Sequence, residues 1–193
     1  MKPRPTIAAF SLLLFVLLPV VSFGAPPDRP ISPAIIASQI AKEPNSHPLR
    51  VVGGFLLFDQ GKFDAAETHF RKATQLTPDD AYDRAWLFMA QLRRDKGASD
   101  KDIRAFLARK HADEFIYTDI GVLLADITPE AAVEKAKASG DLGNLCEAHY
   151  YAAQRLLADG QIPQAKAHLM EVLNTKKETF WEYRSAVAWL KSL

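Results

Sequence analysis

The sequence is poor in cysteine and carries no marked excess of charge of either sign. Its single cysteine, Cys146, excludes an internal disulfide, so the fold must depend on its hydrophobic core. The 24 basic and 23 acidic residues give a formal net charge of +1. Without Lys2 and Arg4, which belong to a predicted signal peptide, 22 basic residues face 23 acidic ones. Because no basic excess then remains to neutralise phosphates, we expect no nucleic-acid partner.

The sequence also lacks the motifs of catalysis, cofactor binding and metal binding. No glycine-rich loop follows a strand pattern, so no phosphate-binding loop is indicated. None of the five histidines pairs at i+4 with a second histidine or a cysteine, so we predict no metal site. Cys146 and His149 are close enough to meet on a helix, but no orienting third residue or oxyanion hole is evident. We therefore predict a protein that is not an enzyme and binds no cofactor, with both residues packed in or beside the core.

Residues 1–24 have the three parts of a secretory signal peptide. Lys2 and Arg4 form the positive start, residues 7–21 form an apolar run, and Ser22 and Gly24 are the small residues before a cleavage site. The alternative is a retained transmembrane anchor, which the run disfavours because it is shorter than the ~20 residues that span a bilayer. No cysteine near the cleavage site offers a lipid attachment point. We expect an exported, periplasmic protein without a stable membrane anchor, with secretion as an alternative.

The mature chain is predicted to be all-helical and to contain tetratricopeptide (TPR) repeats. After a Pro-rich flexible leader at 25–32, residues 47–80 match the TPR pattern, with Gly54 at the helix crossing and Phe70 beside it. Two short helices pack closely only where a small residue meets a large one in this way. Arg50 and Gly53 depart from the usual Trp and Leu of the pattern.

A second match near the C-terminus sets the number of repeats. Ala165 is 99 residues after Ala66, close to three repeats of ~34 residues, so two further units should lie between them. The predicted repeats are 47–80, 81–110, 114–140 and 145–177, within a helical domain at 33–193. A helix at 180–191 is expected to cap the last repeat. The predicted fold class is therefore all-α: a TPR-type α-solenoid of antiparallel helix pairs with N-terminal and C-terminal capping helices.

The first helix of each TPR pair lines the concave face, and this places a protein-binding groove. The residues predicted to point into it are Phe55, Phe58, Asp59, Tyr82, Met89, Arg93, Glu147, Tyr150 and Gln154. Such a mixed aromatic and polar surface suits an extended segment or a helix of a partner protein. The alternative is that Phe55, Phe58 and Met89 are ordinary core, covered by the N-terminal helix around residues 35–40.

Four segments resemble a known family. They are Arg84-Ala85-Trp86-Leu87-Phe88-Met89-Ala90, Ile127-Thr128-Pro129-Glu130, Leu145-Cys146-Glu147-Ala148-His149-Tyr150-Tyr151 and Phe180-Trp181-Glu182-Tyr183-Arg184-Ser185-Ala186. They are similar to the C-terminal half of the NlpI-type TPR proteins of the bacterial envelope, and the repeat at 47–80 is also similar to that family. This sequence lacks the family's lipidation cysteine, and its N-terminal portion is shorter by roughly one repeat.

The resemblance implies a non-enzymatic adaptor in the cell envelope. Proteins of that family form dimers, associate with a periplasmic processing protease and help to control cell-wall hydrolases. We therefore expect one or more protein partners in the periplasm or envelope, and a homodimer is possible on the same ground. The alternative function is a self-associating structural protein of the envelope that has no protease partner.

Overall fold

The computed structural model describes residues 32–109 and 114–193. Within these ranges it contains ten α-helices and no β-strand, which confirms the prediction of an all-α fold. The predicted signal peptide at 1–24, and all of the leader at 25–32 except Ser32, lie outside the described residues. In the part of the chain that is described, no helix is both long enough and apolar enough to cross a membrane.

The helices follow one another with short connections. Their bounds are α1 Pro33–Lys42, α2 His47–Phe58, α3 Phe63–Leu76, α4 Ala81–Arg94, α5 Lys101–Leu107, α6 Ile116–Leu123, α7 Pro129–Ser139, α8 Leu142–Ala158, α9 Ile162–Asn174 and α10 Trp181–Ser192. The sequence predicts α9 from Ile162 to Asn174, as observed. The sequence predicts that the last repeat opens at Asn144 or Leu145. Helix α8 begins earlier, at Leu142, because the side chain of Asp141 accepts a hydrogen bond from Gly143 N and caps the helix there.

Two helix pairs turn in the same way. After α2, Gly61 has φ +71° and Lys62 N donates to Leu57 O at 2.9 Å. After α8, Gly160 has φ +78° and Gln161 N donates to Leu156 O at 2.8 Å. Glycine suits both positions because a side chain is strained in the left-handed region. Gly61 and Gly160 therefore occupy equivalent positions after α2 and α8.

Within each pair the two helices lie close together. A Cβ atom added at Gly54 of α2 would lie 2.5 Å from the ring of Phe70 on α3, so the helices touch where the sequence predicts a small residue. Helices α8 and α9 form an equivalent pair. This helix-pair packing is consistent with a helical repeat.

Helix α8 lies at the centre of the molecule. It contacts α4, α6, α7, α9 and α10, and twelve of its seventeen residues are buried. At the N-terminal end, α1 packs against α2 through Ile36 and Ile40. At the other end, α10 packs against α9 and α8. Two large side chains of α10 also contact α2, at residues that were predicted to line the groove.

Candidate protein-binding groove

The predicted groove residues lie on three neighbouring helices, α2, α4 and α8. Trp86 of α4 joins them, since its ring lies 4.5 Å from Phe55, 5.4 Å from Phe58 and 5.5 Å from Tyr150 between ring centroids. The space lined by Phe55, Phe58, Trp86 and Tyr150 is called the groove below. The structure therefore brings predicted residues of α2 and α8 together around a side chain of α4.

Helix α10 fills the groove with aromatic side chains. The ring of Trp181 lies 4.6 Å from that of Phe55, and the ring of Trp189 lies 5.9 Å from that of Phe58. Arg93 of α4 places its guanidinium 4.3 Å from the centroid of the Trp189 ring. Two tryptophans eight residues apart on one helix thus bind the inner faces of α2 and α4.

Polar groups between the two tryptophans fix the position of α10. Ser185 lies one turn from each of them, and its hydroxyl is 2.6 Å from the Tyr150 hydroxyl and also bonded to the Asp59 carboxylate. Burial raises the pKa of Asp59 to about 6, although the bond from Ser185 acts in the opposite direction. This hydrogen-bonded group joins α2, α8 and α10 in a largely buried setting.

Arg93 is tied to α8 as well as to α10. Its Nη1 donates to Gln154 Oε1 at 2.6 Å, and burial lowers the pKa of the guanidinium to about 10. Gln154 is itself fully buried. The Arg93 side chain therefore covers one end of the groove, between Trp189 and Gln154.

The structure corrects the expectation that the groove is open to a guest. Phe58, Met89, Tyr150 and Gln154 are 0% exposed and Phe55 is 6% exposed. Glu147 is also buried, whereas Asp59 and Arg93 are partly buried. Of the nine predicted residues, Tyr82 is the one with an exposed side chain, at 41%. Contacts with α10, which was predicted only to cap the last repeat, help to bury Phe55, Phe58 and Tyr150.

The alternative prediction named the wrong covering helix. Phe55, Phe58 and Met89 do belong to the core, but α1 lies elsewhere on α2. Ile36 and Ile40 of α1 line an apolar cavity of about 310 Å³ together with Gly53, Leu56 and Leu57. Since successive residues of a helix point in different directions, α1 and α10 cover different sides of α2.

Three acidic side chains lie near one another at the α4, α6, α8 and α10 junction. Glu147 accepts a hydrogen bond from the Tyr82 hydroxyl at 3.1 Å, while both carboxylate oxygens of Asp119 are buried without a hydrogen-bond partner. Burial, followed by the charge of Glu182, raises the pKa of Glu147 to about 7, and burial raises that of Glu182 to about 7. Burial, with Glu147 and Glu182 nearby, also raises the pKa of Asp119 well above its ordinary value. The junction therefore holds its acids in a setting that favours the protonated form.

The Cys146–His149 pair considered from sequence is not formed. The thiol of Cys146 is fully buried beside Thr175, and burial raises its pKa to about 12. His149 instead faces His168, with their Nδ1 atoms 3.0 Å apart, and burial lowers its pKa to about 4. A thiol with so high a pKa is a poor nucleophile at neutral pH.

Outside the groove, three side chains have the arrangement of metal ligands. One ligand atom each from His47, Asp80 and Asp83 lies within 4.8 Å of the others. Sequence spacing did not reveal this group because its histidine and its carboxylates belong to different helix pairs.

Sequence analysis also missed the residues that fill the groove. Trp181, Ser185 and Trp189 recur every four residues along one face of the last helix, and Trp86 lies in the predicted second repeat. The pair of tryptophans was the signal in the sequence. Two such large aromatic side chains on one face of a helix indicate that this face is buried, which is more than a terminal cap requires.

No family model matches the chain, and no curated protein matches it. The resemblance to NlpI-type proteins therefore stays a prediction.

Proposed function

We propose that this protein is an exported, non-enzymatic TPR-type adaptor whose groove binds an amphipathic helix of a partner protein. The observation that carries the proposal is the occupant of the groove: the protein's own α10 lies there, held by Trp181, Ser185 and Trp189. A surface that accommodates one such helix has the shape and chemistry for another.

The contacts of α10 define the partner helix. It should carry aromatic residues at i and i+8, to meet Phe55 and Phe58, and a small hydroxyl residue at i+4, to meet Asp59 and Tyr150. To bind, this helix must displace α10. Competition of this kind makes the affinity of the partner depend on how firmly α10 is docked.

The surroundings of the candidate nucleophile support a role without catalysis. Cys146 is buried beside Thr175 and its pKa is raised to about 12, so the thiolate is scarce at neutral pH. His149 contacts His168 rather than the thiol. The partner class follows from the sequence resemblance, which favours a periplasmic processing protease or a cell-wall hydrolase.

The test uses a variant in which α10 is docked less firmly. Trp189→Ala removes the ring that contacts Phe58 and Arg93, and Met170→Ala, on the exposed surface of α9, is the matched control. Each form is used to capture proteins from an envelope extract, with and without an excess of a synthetic peptide of residues 178–193. We expect Trp189→Ala to retain a specific envelope protein more strongly than the wild type or Met170→Ala, and the peptide to release that protein.

Two outcomes would oppose the proposal. If all three forms retain the same proteins and the peptide releases none of them, the groove is not the binding surface. If Trp189→Ala retains only further copies of itself and light scattering shows a dimer, exchange of α10 between copies is favoured. That result would support the self-associating structural protein instead.

A further inference from the structure

We propose that His47, Asp80 and Asp83 form a Zn²⁺ site that joins the beginnings of α2 and α4. His47 is distant in sequence from the two aspartates, and the fold brings the three ligand atoms within 4.8 Å of one another. One imidazole and two carboxylates match the nitrogen and oxygen donors that Zn²⁺ accepts in proteins. Together the two carboxylates carry the charge that a divalent cation needs.

Each ligand is placed by its helix. His47 is the first residue of α2, Asp80 is the N-cap of α4, and Asp83 lies in the first turn of α4. The Oδ1 atom of Asp80 accepts a hydrogen bond from Asp83 N at 3.0 Å, which fixes the Asp80 carboxylate beside that of Asp83. The histidine presents Nε2, the atom that lies 2.6 Å from Asp83 Oδ2.

The geometry requires only small side-chain movements to accept the ion. Zn²⁺ lies about 2.0–2.2 Å from nitrogen and oxygen ligands, so tetrahedral ligand atoms are about 3.3–3.6 Å apart. The distance from His47 Nε2 to Asp83 Oδ2 must increase from 2.6 Å to reach this range. A pair of ligand atoms that lies farther apart than this range, up to the 4.8 Å limit, must move closer together. His47 and Asp80 are partly exposed, which leaves access for the ion and for a water molecule as fourth ligand.

A neighbouring cation does not take the place of the metal. Arg84 follows Asp83 in the chain, but its Nε and Nη2 both donate to the Pro78 carbonyl oxygen, at 3.2 and 2.9 Å. Its guanidinium also lies over the Phe106 ring, 5.0 Å from the centroid. The alternative is that His47 and Asp83 only form a hydrogen bond between two helices.

The test measures the thermal midpoint of the purified, tag-free protein after treatment with EDTA and removal of the chelator. The protein is then titrated with Zn²⁺, and with Mg²⁺ as a control for charge. Asp80→Asn keeps an N-cap of equal quality but removes a carboxylate ligand, and His47→Gln keeps a hydrogen-bond donor toward Asp83 but removes the imidazole. His168→Gln is the matched control, because the His149–His168 pair is another place where Zn²⁺ could bind.

We expect Zn²⁺, but not Mg²⁺, to raise the midpoint of the wild type and of His168→Gln, with saturation at one ion per chain. Asp80→Asn and His47→Gln should fold with a midpoint near that of the metal-free wild type and lose the response. The proposal is overturned if the wild type shows no response to Zn²⁺, if Asp80→Asn and His47→Gln keep it, or if His168→Gln loses it.

Discussion

At the scale of single residues, α2 and α3 approach closely because Gly54 has no side chain. Gly54 lies against the ring of Phe70, which is 0% exposed, and a Cβ atom there would approach it to 2.5 Å. Alanine in a helix is favoured over glycine by about 1 kcal/mol, but forcing extra volume into a packed core costs about 1–3 kcal/mol. Because Gly54 contacts a buried ring, we expect the packing cost to exceed the gain in helix propensity.

Gly54→Ala should therefore destabilise the protein by up to about 2 kcal/mol, as measured by urea unfolding. Gly97→Ala is the matched control, since the nearest atom to its added Cβ would be a carboxylate oxygen of Asp95 at 3.4 Å, in an exposed turn. Its midpoint should change little or rise slightly. Equal stability of Gly54→Ala and the wild type would mean that α2 and α3 are less closely packed than described.

The buried acids beside α10 make the stability of the protein depend on pH. The pKa of Glu182 is 4.5 in the unfolded reference and about 7 in the folded protein, mainly because of burial, so the folded state binds more protons between these values. Stability contributed by this group is then fully present below pH 4.5 and is lost as the pH rises through about 7. Glu147 acts in the same direction.

Glu182→Gln should remove much of this pH dependence. The amide has no charge to bury and still offers an oxygen to the Trp86 ring N–H, which bonds to Glu182 in the wild type. At pH 8.5 the variant should be more stable than the wild type by about 1–3 kcal/mol, and at pH 4.5 the two should be similar. Urea unfolding across this range tests the expectation, with the exposed Glu178→Gln as control. A wild-type stability that does not fall between pH 5 and pH 8 would contradict it.

At the scale of helices, local signals in the sequence predicted most of the elements. Pro33, the Thr128-Pro129 start and the glycines at 61 and 160 mark helix ends through backbone chemistry that acts over a few residues. Thr128 before Pro129 predicts a cap for α7, and its side chain accepts a hydrogen bond from Ala131 N at 3.2 Å. Ser32 before Pro33 predicts a similar cap for α1, but its side chain makes no such bond. Asp141 caps α8 between Gly140 and Gly143, two glycines that instead predict a turn, so α8 begins earlier than expected.

The contents of the groove could not be predicted in the same way. The faces of α2, α4 and α8 follow from helical periodicity and from the TPR pattern, and the structure brings them together around Trp86. Which helix covers them depends on packing between residues far apart, such as Phe58 and Trp189. No local pattern in a sequence specifies a contact over that distance. For the same reason the His47, Asp80 and Asp83 group was not foreseen.

At the scale of the whole molecule, α10 connects the first helix pair to the last. In an open array each repeat touches only its neighbours, so stability is nearly a sum of local terms and the ends can unfold separately. Here Trp189 of α10 contacts Phe58 of α2 and Phe63 of α3, while α10 itself packs on α8 and α9. Because α10 links the two ends, we expect the chain to unfold as one cooperative unit.

Hydrogen exchange in increasing urea tests this expectation on two distant helices. In the wild type, the slowest amides of α3 and of α9 should share one opening free energy and one dependence on urea. Trp189→Ala removes a large buried side chain, at a cost of about 3–5 kcal/mol, and breaks the contact between the ends. Helix α3 should then open at lower urea than α9, whereas Met170→Ala should leave the two helices together. If α3 and α9 already open separately in the wild type, α10 does not couple the ends, because a contact that transmits stability must make both partners open together.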